Sequence, residues 1–175
     1  MCRTTVAVVI GYLDIETSFG REVTVFGLLR SDRGLVQIVG PALTRDAIDE
    51  VLHGIDTLCT FNGESFDLPV LRRSFGLGLL ERCRSLDLSN DCRHAGLRGG
   101  LKKIEDGLAI PRSLRGITGY DAMVLWERWE NGDRAALETL LQYNRDDVVN
   151  LAMLERRLRG DLEIPQPIEQ IVLGA

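Results

Sequence analysis

The chain has 175 residues, a mass of 19.5 kDa and a formal net charge of −5, and 45% of its residues are hydrophobic. These values predict one globular domain, large enough to bury a core without disulfides or a structural metal. The acidic balance argues against a protein that binds polyanions over its whole surface, and no apolar run reaches the roughly 18 residues of a membrane span.

The cysteines and histidines indicate a reducing environment and no zinc cluster. The four cysteines lie far apart in the sequence and form no CxxC pair, and there are only two histidines. The N-terminal segment has no pattern typical of a signal peptide. We therefore expect a cytoplasmic protein with reduced thiols.

The first forty residues predict a meander of three β-strands. The β-rich segments 5–15, 23–30 and 34–40 are separated by short polar turns. Two further short apolar runs, at 57–61 and 84–89, are typical of buried strands.

Helical patterns follow and alternate with these strands. Thr44 is a predicted cap for a helix over 44–55, and Pro69 fits only the first turn of a helix that begins near Asp67. Three more helices are predicted at 101–110, 120–133 and 134–159. The order of elements predicts an α/β domain over residues 1–160, with a mixed sheet flanked by helices. Residues 161–175, with two prolines, are predicted to form an extended C-terminal tail.

Asp14 and Glu16 form a pair of acids in the first strand. Residues two apart in a strand point to the same side, so both carboxylates face away from Leu13 and Ile15. Such neighbours raise each other's pKa unless a cation joins them. The alternative is a pair of acids at the edge of a strand that face solvent.

Asp67 is the second candidate because it follows a predicted buried strand and opens a helix. Functional sites in open α/β sheets gather at the ends of strands. The alternative is an aspartate that only caps the helix or interacts with its dipole.

The predicted helix over 134–159 contains two adjacent aspartates. On a helical wheel at 100° per residue, Tyr143 and Asp147 lie within the same arc of about 80° as the apolar residues Leu140, Leu151 and Leu154, while Asp146 falls well outside it. A core-facing aspartate must be paired or metal-bound, so Asp147 is either a metal ligand or the partner of a buried arginine. Asp146 is expected to face water.

Four carboxylates therefore face inward or follow a central strand. Ligand sets of oxygen alone suit Mg²⁺ or Mn²⁺. Four carboxylates around two cations roughly 4 Å apart are typical of sites that stabilise the attacking and leaving oxygens in phosphoryl transfer.

Three sequence blocks carry a family resemblance: D-I-E at 14–16, N-x-x-x-F-D at 62–67 and Y-x-x-x-D at 143–147. Over about residues 10–158, the chain resembles the DEDD superfamily of 3′–5′ exonucleases, which have a ribonuclease H-like fold. The tyrosine is similar to that of the DEDDy branch, which includes the proofreading domains of family B DNA polymerases. The histidine branch would need a histidine where this chain has Gln142.

The likeness extends to a stand-alone prokaryotic group of predicted exonucleases. SLDL, LKKIEDGLAIPR and YNRDDVVNL are similar to segments of that group. The resemblance implies a five-stranded mixed sheet, in which a three-stranded antiparallel meander is joined by two parallel strands.

The resemblance also implies roles for individual residues. Asp14, Glu16 and Asp147 would bind two Mg²⁺ or Mn²⁺ ions, and Asp67 would bind directly or through water. Tyr143 would orient or deprotonate the attacking water. The residues expected to contact the terminal nucleotide are Thr17, Asn62 and Phe66.

The basic residues have an uneven distribution. Between Arg72 and Lys103 there are eight Lys/Arg and three Asp/Glu, a local net charge of +5. On charge alone, the candidates for contacts with phosphate are Arg72, Arg73, Lys102 and Lys103.

The leading hypothesis is therefore a metal-dependent exonuclease acting on the 3′ end of DNA or RNA, without a membrane partner. Three alternatives stay open: a structure-specific endonuclease, a nucleic-acid-binding module that has lost turnover, and a structural domain that recruits another protein. A circular substrate that resists cleavage would argue against the first alternative, and binding that persists or strengthens in EDTA would favour the second. A pull-down without nucleic acid tests the third.

Overall fold

The computed structural model describes residues 8–161 and 169–174. The start of the first predicted strand, residues 5–7, and residues 162–168 and 175 of the predicted tail lie outside the described residues. The β-strands are β1 (Ile10–Thr17), β2 (Val23–Arg30), β3 (Gly34–Val39), β4 (Thr57–Thr60), β5 (Arg84–Asp87) and β6 (Gln170–Leu173). The α-helices are α1 (Arg45–Leu52), α2 (Asp67–Phe75), α3 (Leu88–His94), α4 (Leu101–Gly107), α5 (Gly119–Glu130) and α6 (Arg134–Leu158).

The strands form one mixed sheet in the order β5-β4-β1-β2-β3-β6. Strands β1, β2 and β3 are the predicted antiparallel meander, and β4 and β5 add to β1 in parallel. The predicted mixed α/β architecture is confirmed. The sheet has a sixth strand, because Gln170–Leu173 pairs in parallel with β3 at the far edge.

Local sequence signals explain where several helices begin. The side chain of Thr44 accepts a hydrogen bond from the N–H of Ala47, as expected for a cap of α1. A reciprocal capping box between Thr118 and Asp121 starts α5. The Asp133 side chain caps the N-terminus of α6.

The sheet separates two apolar layers. Leu13 and Ile15 of β1 pack with residues of α1 and α2 on one face. Tyr12, one residue away on β1, packs with Val148 and Leu151 of α6 on the other face. Because side chains alternate along a strand, Asp14 and Glu16 lie on the same face of the sheet as α6.

The described residues include no helix that combines the length and the apolar character needed to cross a lipid bilayer.

Candidate active site

Three acids meet where α6 crosses the end of β1. Asp14, Glu16 and Asp147 each offer a carboxylate oxygen, and these oxygens lie within 4.8 Å of one another. Glu16 and Asp147 are buried, with exposed fractions of 7% and 5%. The helical wheel therefore assigns Asp147 to the correct side of its helix, and the strand alternation assigns Asp14 and Glu16 to the facing side.

The environment of this cluster disfavours negative charge. Burial, reinforced first by the charge of Asp147, raises the pKa of both Asp14 and Glu16 well above the ordinary values. Glu16 Oε1 is buried and has no hydrogen-bond partner among the described residues. A buried carboxylate oxygen without a partner, beside two other carboxylates, fits a cation, and oxygen ligands suit Mg²⁺ or Mn²⁺.

Asp147 also has a buried cationic partner. Arg112 Nη2 lies 2.7 Å from Asp147 Oδ1, and Arg112 Nη1 donates to both carboxylate oxygens of Glu105, at 2.9 and 2.8 Å. Lys102 Nζ lies 4.0 Å from the same Asp147 oxygen. Burial nevertheless raises the pKa of Asp147. Asp147 therefore pairs with a buried arginine, as one of its two interpretations predicts, and it also lies among the acids of the cluster; its role as a metal ligand stays a prediction.

Asp146 does not face water, so that prediction is wrong. Its side chain is buried, and Oδ2 accepts hydrogen bonds from the N–H groups of Ser113 (2.8 Å) and Leu114 (3.0 Å). Oδ1 accepts from Gln142 Nε2 at 2.9 Å. Asp146 thus holds the loop that carries Arg112, while its neighbour Asp147 receives the Arg112 side chain.

Asn144 supports the Asp14 carboxylate from α6. Its Nδ2 donates to Asp14 Oδ2 (3.1 Å), and its Oδ1 accepts from Gln37 Nε2 (2.8 Å). A Cβ atom on Gly27, which pairs with Asp14 across the sheet, would lie 2.1 Å from Asn144 Oδ1. The glycine at position 27 therefore makes room for the Asn144 amide against the sheet.

Asp67 lies beside the cluster but is not one of the three acids that meet. It is the first residue of α2, and its Oδ1 accepts a hydrogen bond from the N–H of Ile15 at 3.1 Å. Burial raises the pKa of Asp67 to about 6. Its charge in turn contributes to the raised pKa values of Asp14 and Glu16, so the four carboxylates form one electrostatic group.

An open cleft of about 860 Å³ lies over the four acids. The residues Thr17, Asn62 and Phe66 line it, as does Tyr143. Phe66 is 47% exposed, a large fraction for a phenylalanine. The structure therefore places all eight candidate site residues around one cavity.

Tyr143 is buried beside the acids and contacts Lys102. Lys102 Nζ donates to the Tyr143 hydroxyl at 2.5 Å and lies 4.4 Å from the centre of its ring. Burial and the charges of Asp147, Glu16 and Asp14 raise the pKa of Tyr143 above its ordinary value. The hydroxyl is therefore neutral near neutral pH and serves as a hydrogen-bonding group.

The four basic candidates differ in position. Arg73 and Lys102 line the cleft. Arg72 lies 3.5 Å from Glu81 in an exposed ion pair, and Lys103 is an exposed residue of α4. Arg21, which lines the cleft at the β1–β2 turn, is a cation that the sequence prediction did not include.

Sequence reasoning missed three polar residues that support the acids: Glu105, Arg112 and Asn144. Glu105 and Arg112 lie within LKKIEDGLAIPR, and Asn144 lies within YNRDDVVNL, so both segments were already noted for their likeness to a family. Helical spacing could have found Asn144, which lies on the Asp147 side of α6. No sequence pattern links Arg112 to Asp147, which is 35 residues away.

The fold and the site together define a class, an α/β domain whose central strand and crossing helix hold a buried acidic cluster. The family model described as the RNase_H superfamily matches residues 11–159, and the chain belongs to that family. The resemblance drawn from the three sequence blocks is thereby confirmed at the level of the ribonuclease H-like superfamily. Among curated proteins, none matches the chain.

A solved structure shows the same fold. The family B DNA polymerase from the hyperthermophilic archaeon Pyrobaculum calidifontis matches with a TM-score of 0.71 and 19% sequence identity. The match covers 88% of this chain and 25% of the polymerase chain. The chain therefore has a nuclease-type fold with an acidic cluster that a divalent metal fits.

Proposed function

We propose that the protein is a divalent-metal-dependent 3′–5′ exonuclease of the DEDDy type, which hydrolyses the terminal phosphodiester of a nucleic acid. The observation that carries this proposal is the acidic cluster, in which Asp14, Glu16 and Asp147 converge at the base of an open cleft and a buried Glu16 oxygen has no partner among the described residues. Membership of the RNase_H superfamily and the likeness to a DNA polymerase structure support the nuclease class.

The carboxylates would hold two Mg²⁺ or Mn²⁺ ions. Asp14, Glu16 and Asp147 would be direct ligands, and Asp67, which stands apart from the other three, would bind directly or through water. Two such ions, when bound, stabilise the attacking and leaving oxygens of an in-line displacement. Asn144 would keep Asp14 Oδ2 engaged and thereby orient this carboxylate.

Tyr143 would orient the attacking water and would not deprotonate it. Its hydroxyl already accepts a hydrogen bond from Lys102, so its own O–H is available to donate within the cleft. Without bound cations, burial and the neighbouring carboxylates raise the pKa of Tyr143, which favours the neutral hydroxyl over the phenolate that a general base would need.

The opposite wall of the cleft would hold the terminal nucleotide. Phe66 offers an exposed ring on which a base can stack, and Asn62 and Thr17 offer polar groups beside it. Asn62 has a left-handed backbone, with φ of 61°, and its N–H donates to Asp87 Oδ1 at 2.7 Å. Asp87 therefore holds the loop that presents Asn62 to the cleft.

The test is hydrolysis of end-labelled single strands of DNA and RNA in Mg²⁺ or Mn²⁺, with Asp14→Asn beside the wild type. A label on the 5′ end should give a ladder that shortens from the 3′ end with time, whereas a circular strand should remain intact. Asp14→Asn should lose activity by at least about 10²-fold, because it removes a charged ligand at the reacting centre.

Asp106→Asn is the matched control, because Asp106 is an exposed aspartate of α4 outside the cleft. It should retain wild-type activity. Equal hydrolysis by Asp14→Asn and the wild type would overturn the proposed mechanism, and cleavage of the circle would indicate an endonuclease.

A further inference from the structure

A second groove lies beside the active-site cleft, on the other side of the loop between β4 and α2. It has a volume of about 360 Å³ and is lined in part by Ser89, Arg93, Arg98 and Gly99. Phe61 and Asn62 line both cavities, so the two are adjacent and share one wall. We call it the arginine groove.

The arginine groove is positively charged. Arg93 and Arg98 are exposed, and no carboxylate among the described residues lines the groove. Asp87 lies near its wall, where Oδ1 accepts hydrogen bonds from the N–H groups of Asn62 and Ser89, at 2.7 and 3.0 Å, and Oδ2 accepts from the N–H of Glu64 at 3.4 Å. The two guanidinium groups therefore face the groove without a competing acid from the described part of the chain.

The structure separates the basic residues of segment 72–103 into two sets. Arg72 and Arg82 form ion pairs with Glu81 and Asp49. Arg93 and Arg98 form no ion pair with any described residue, and the Arg93 side chain is held by a hydrogen bond to Asn90 Oδ1. Among the cations of this segment that form no ion pair with a described residue, Arg93 and Arg98 lie in the groove next to the cleft.

We propose that the arginine groove binds the sugar-phosphate backbone of the substrate strand, upstream of the nucleotide that is hydrolysed. This inference rests on the proposed function. A strand whose 3′ end lies on the acids crosses the shared wall at Asn62 to reach Arg93 and Arg98. Guanidinium groups bind phosphate oxygens without reading base identity, so the groove favours longer strands irrespective of their sequence.

The alternative ligand, a small free anion, fits the groove less well. The groove is adjacent to the cleft, and its cations belong to exposed side chains and not to an enclosed pocket. A strand whose 3′ end is already bound in the cleft gains affinity from two further weak contacts, to Arg93 and Arg98. These two contacts form within the complex, so they do not pay again for bringing the molecules together. A small anion lacks that advantage.

The test compares the wild type with the double variant Arg93→Ala/Arg98→Ala in binding to fluorescent single strands. Strands of about three and about fifteen nucleotides, with terminal linkages that cannot be hydrolysed, are titrated in Mg²⁺ over a range of monovalent salt concentrations. Each phosphate contact in a single strand contributes about −0.7 to the slope of log K against log salt. The variant should therefore reduce the slope for the long strand by about 1.4, and leave the short strand unchanged.

The controls separate charge from folding. Arg33→Ala/Arg84→Ala removes two exposed arginines at the opposite end of the sheet, in the β2–β3 turn and at the start of β5, and should keep the wild-type slope. The double variant Arg93→Lys/Arg98→Lys keeps both charges and should restore most of the slope lost on substitution with alanine.

The outcomes distinguish this inference from the proposed function. An unchanged slope for the long strand in Arg93→Ala/Arg98→Ala, or equal losses for both lengths, would overturn the arginine groove even if the protein hydrolyses strands in Mg²⁺. A selective loss for the long strand supports the groove even if no hydrolysis is observed, in which case only the exonuclease proposal fails.

Discussion

Tyr143 and Asn144 are adjacent on α6 but contact different atoms around the acids. The Tyr143 hydroxyl contacts Lys102, whereas the Asn144 amide contacts Asp14 and Gln37. Consecutive residues of a helix are separated by about 100°, so the two side chains reach the cluster from different directions. A substitution at one position should therefore affect a different step from a substitution at the other.

Tyr143→Phe should reduce the rate of hydrolysis by roughly 10²-fold, because it removes one oriented hydrogen-bonding group from the cleft. The ring remains, so metal binding and the thermal midpoint should stay close to those of the wild type. An orienting role, in which the hydroxyl stays protonated, also predicts that the wild-type rate shows no inflection from tyrosine ionisation between pH 7 and about 9.

Single-turnover rates over this pH range provide the measurement. A wild-type inflection that disappears in Tyr143→Phe would contradict the orienting role and would indicate a base. Lys102 remains in the variant, so the loss of its charge cannot explain a change.

Asn144→Ala should weaken divalent metal binding by about 10–100-fold, the usual cost of removing a group that orients a metal ligand. It removes the donor to Asp14 Oδ2 and the acceptor of Gln37 Nε2. The buried Gln37 amide loses a partner, so the free energy of unfolding should also fall by about 1–3 kcal/mol.

Asn150→Ala is the matched control for this prediction. Asn150 is a buried asparagine of the same helix that contacts the loop: its Nδ2 donates to the carbonyl of Pro111 at 3.1 Å, and its side chain also hydrogen-bonds Glu105, whereas Asn144 contacts Asp14 directly. Both variants should lose stability, but calorimetric titration with Mn²⁺ should show a larger loss of affinity for Asn144→Ala. Equal affinities in the two variants would contradict the positioning role.

At the scale of elements, α6 joins the loop after α4 to the acids of β1. Asp146 holds this loop by its backbone, and Arg112 of the loop reaches Asp147. The two adjacent acids therefore work at different places: one fixes a loop, and the other lies in the cluster. We therefore expect a substitution at Asp146 to displace Arg112 from Asp147 and so to change the acid cluster.

Asp146→Ala should loosen residues 113–114 and reduce the rate of hydrolysis, because Arg112 would no longer be held against Asp147. The loss of three charge-assisted hydrogen bonds, from Ser113, Leu114 and Gln142, should lower the free energy of unfolding by about 2–3 kcal/mol. Limited proteolysis should then cut the loop in the variant before it cuts the wild type.

Asp146→Asn provides the informative comparison. It keeps an oxygen that can accept from Ser113 and Leu114, so it should retain most of the stability and activity that alanine loses. If the asparagine and alanine variants behave alike, the charge at position 146 and not the held loop is what matters.

The contrast between Asp146 and Asp147 shows how far sequence reasoning reaches. Helical periodicity correctly predicted that Asp147 is buried, because its surroundings on α6 are set by local spacing. The same periodicity wrongly predicts that Asp146 faces water. Its partners, Ser113 and Leu114, are more than 30 positions away and donate through their backbone N–H groups, so helical spacing cannot reveal them. A hydrogen bond to a distant main chain leaves no pattern in the side chains.

The strands also differ in whether local sequence spacing predicts them. Alternation predicted the meander and the side of β1 that carries Asp14 and Glu16. The strand β6 was not predicted, because QIVL follows two prolines and its pairing with β3 depends on the position of the sheet edge. Gln170 Nε2 donates a hydrogen bond to Gln37 Oε1 at 2.9 Å. The C-terminal strand therefore contacts Gln37, whose amide donates to Asn144, the residue that supports Asp14.

At the scale of the whole molecule, the acid cluster lowers stability when no cation is bound. Burial and mutual repulsion raise the pKa values of Asp14, Glu16 and Asp67 in the folded state above those of the unfolded chain. The folded state therefore binds more protons than the unfolded state above about pH 4, and the free energy of unfolding must fall as pH rises. For Asp67, this fall should be complete above its folded pKa of about 6.

Glu16→Gln should consequently stabilise the metal-free protein at pH 7 while abolishing hydrolysis. It removes one buried charge whose Oε1 has no partner among the described residues, and one pKa unit corresponds to about 1.4 kcal/mol. We expect a gain of at least about 1 kcal/mol in EDTA, a gain that should shrink at pH 4, because the raised pKa of Glu16 favours its neutral form in the wild type at low pH. Added Mn²⁺ should raise the thermal midpoint of the wild type more than that of the variant, because only the wild type retains all the ligands. Denaturant unfolding at both pH values, with and without Mn²⁺, measures these differences. If the variant is less stable than the wild type in EDTA at pH 7, then repulsion among the buried carboxylates does not destabilise the metal-free protein.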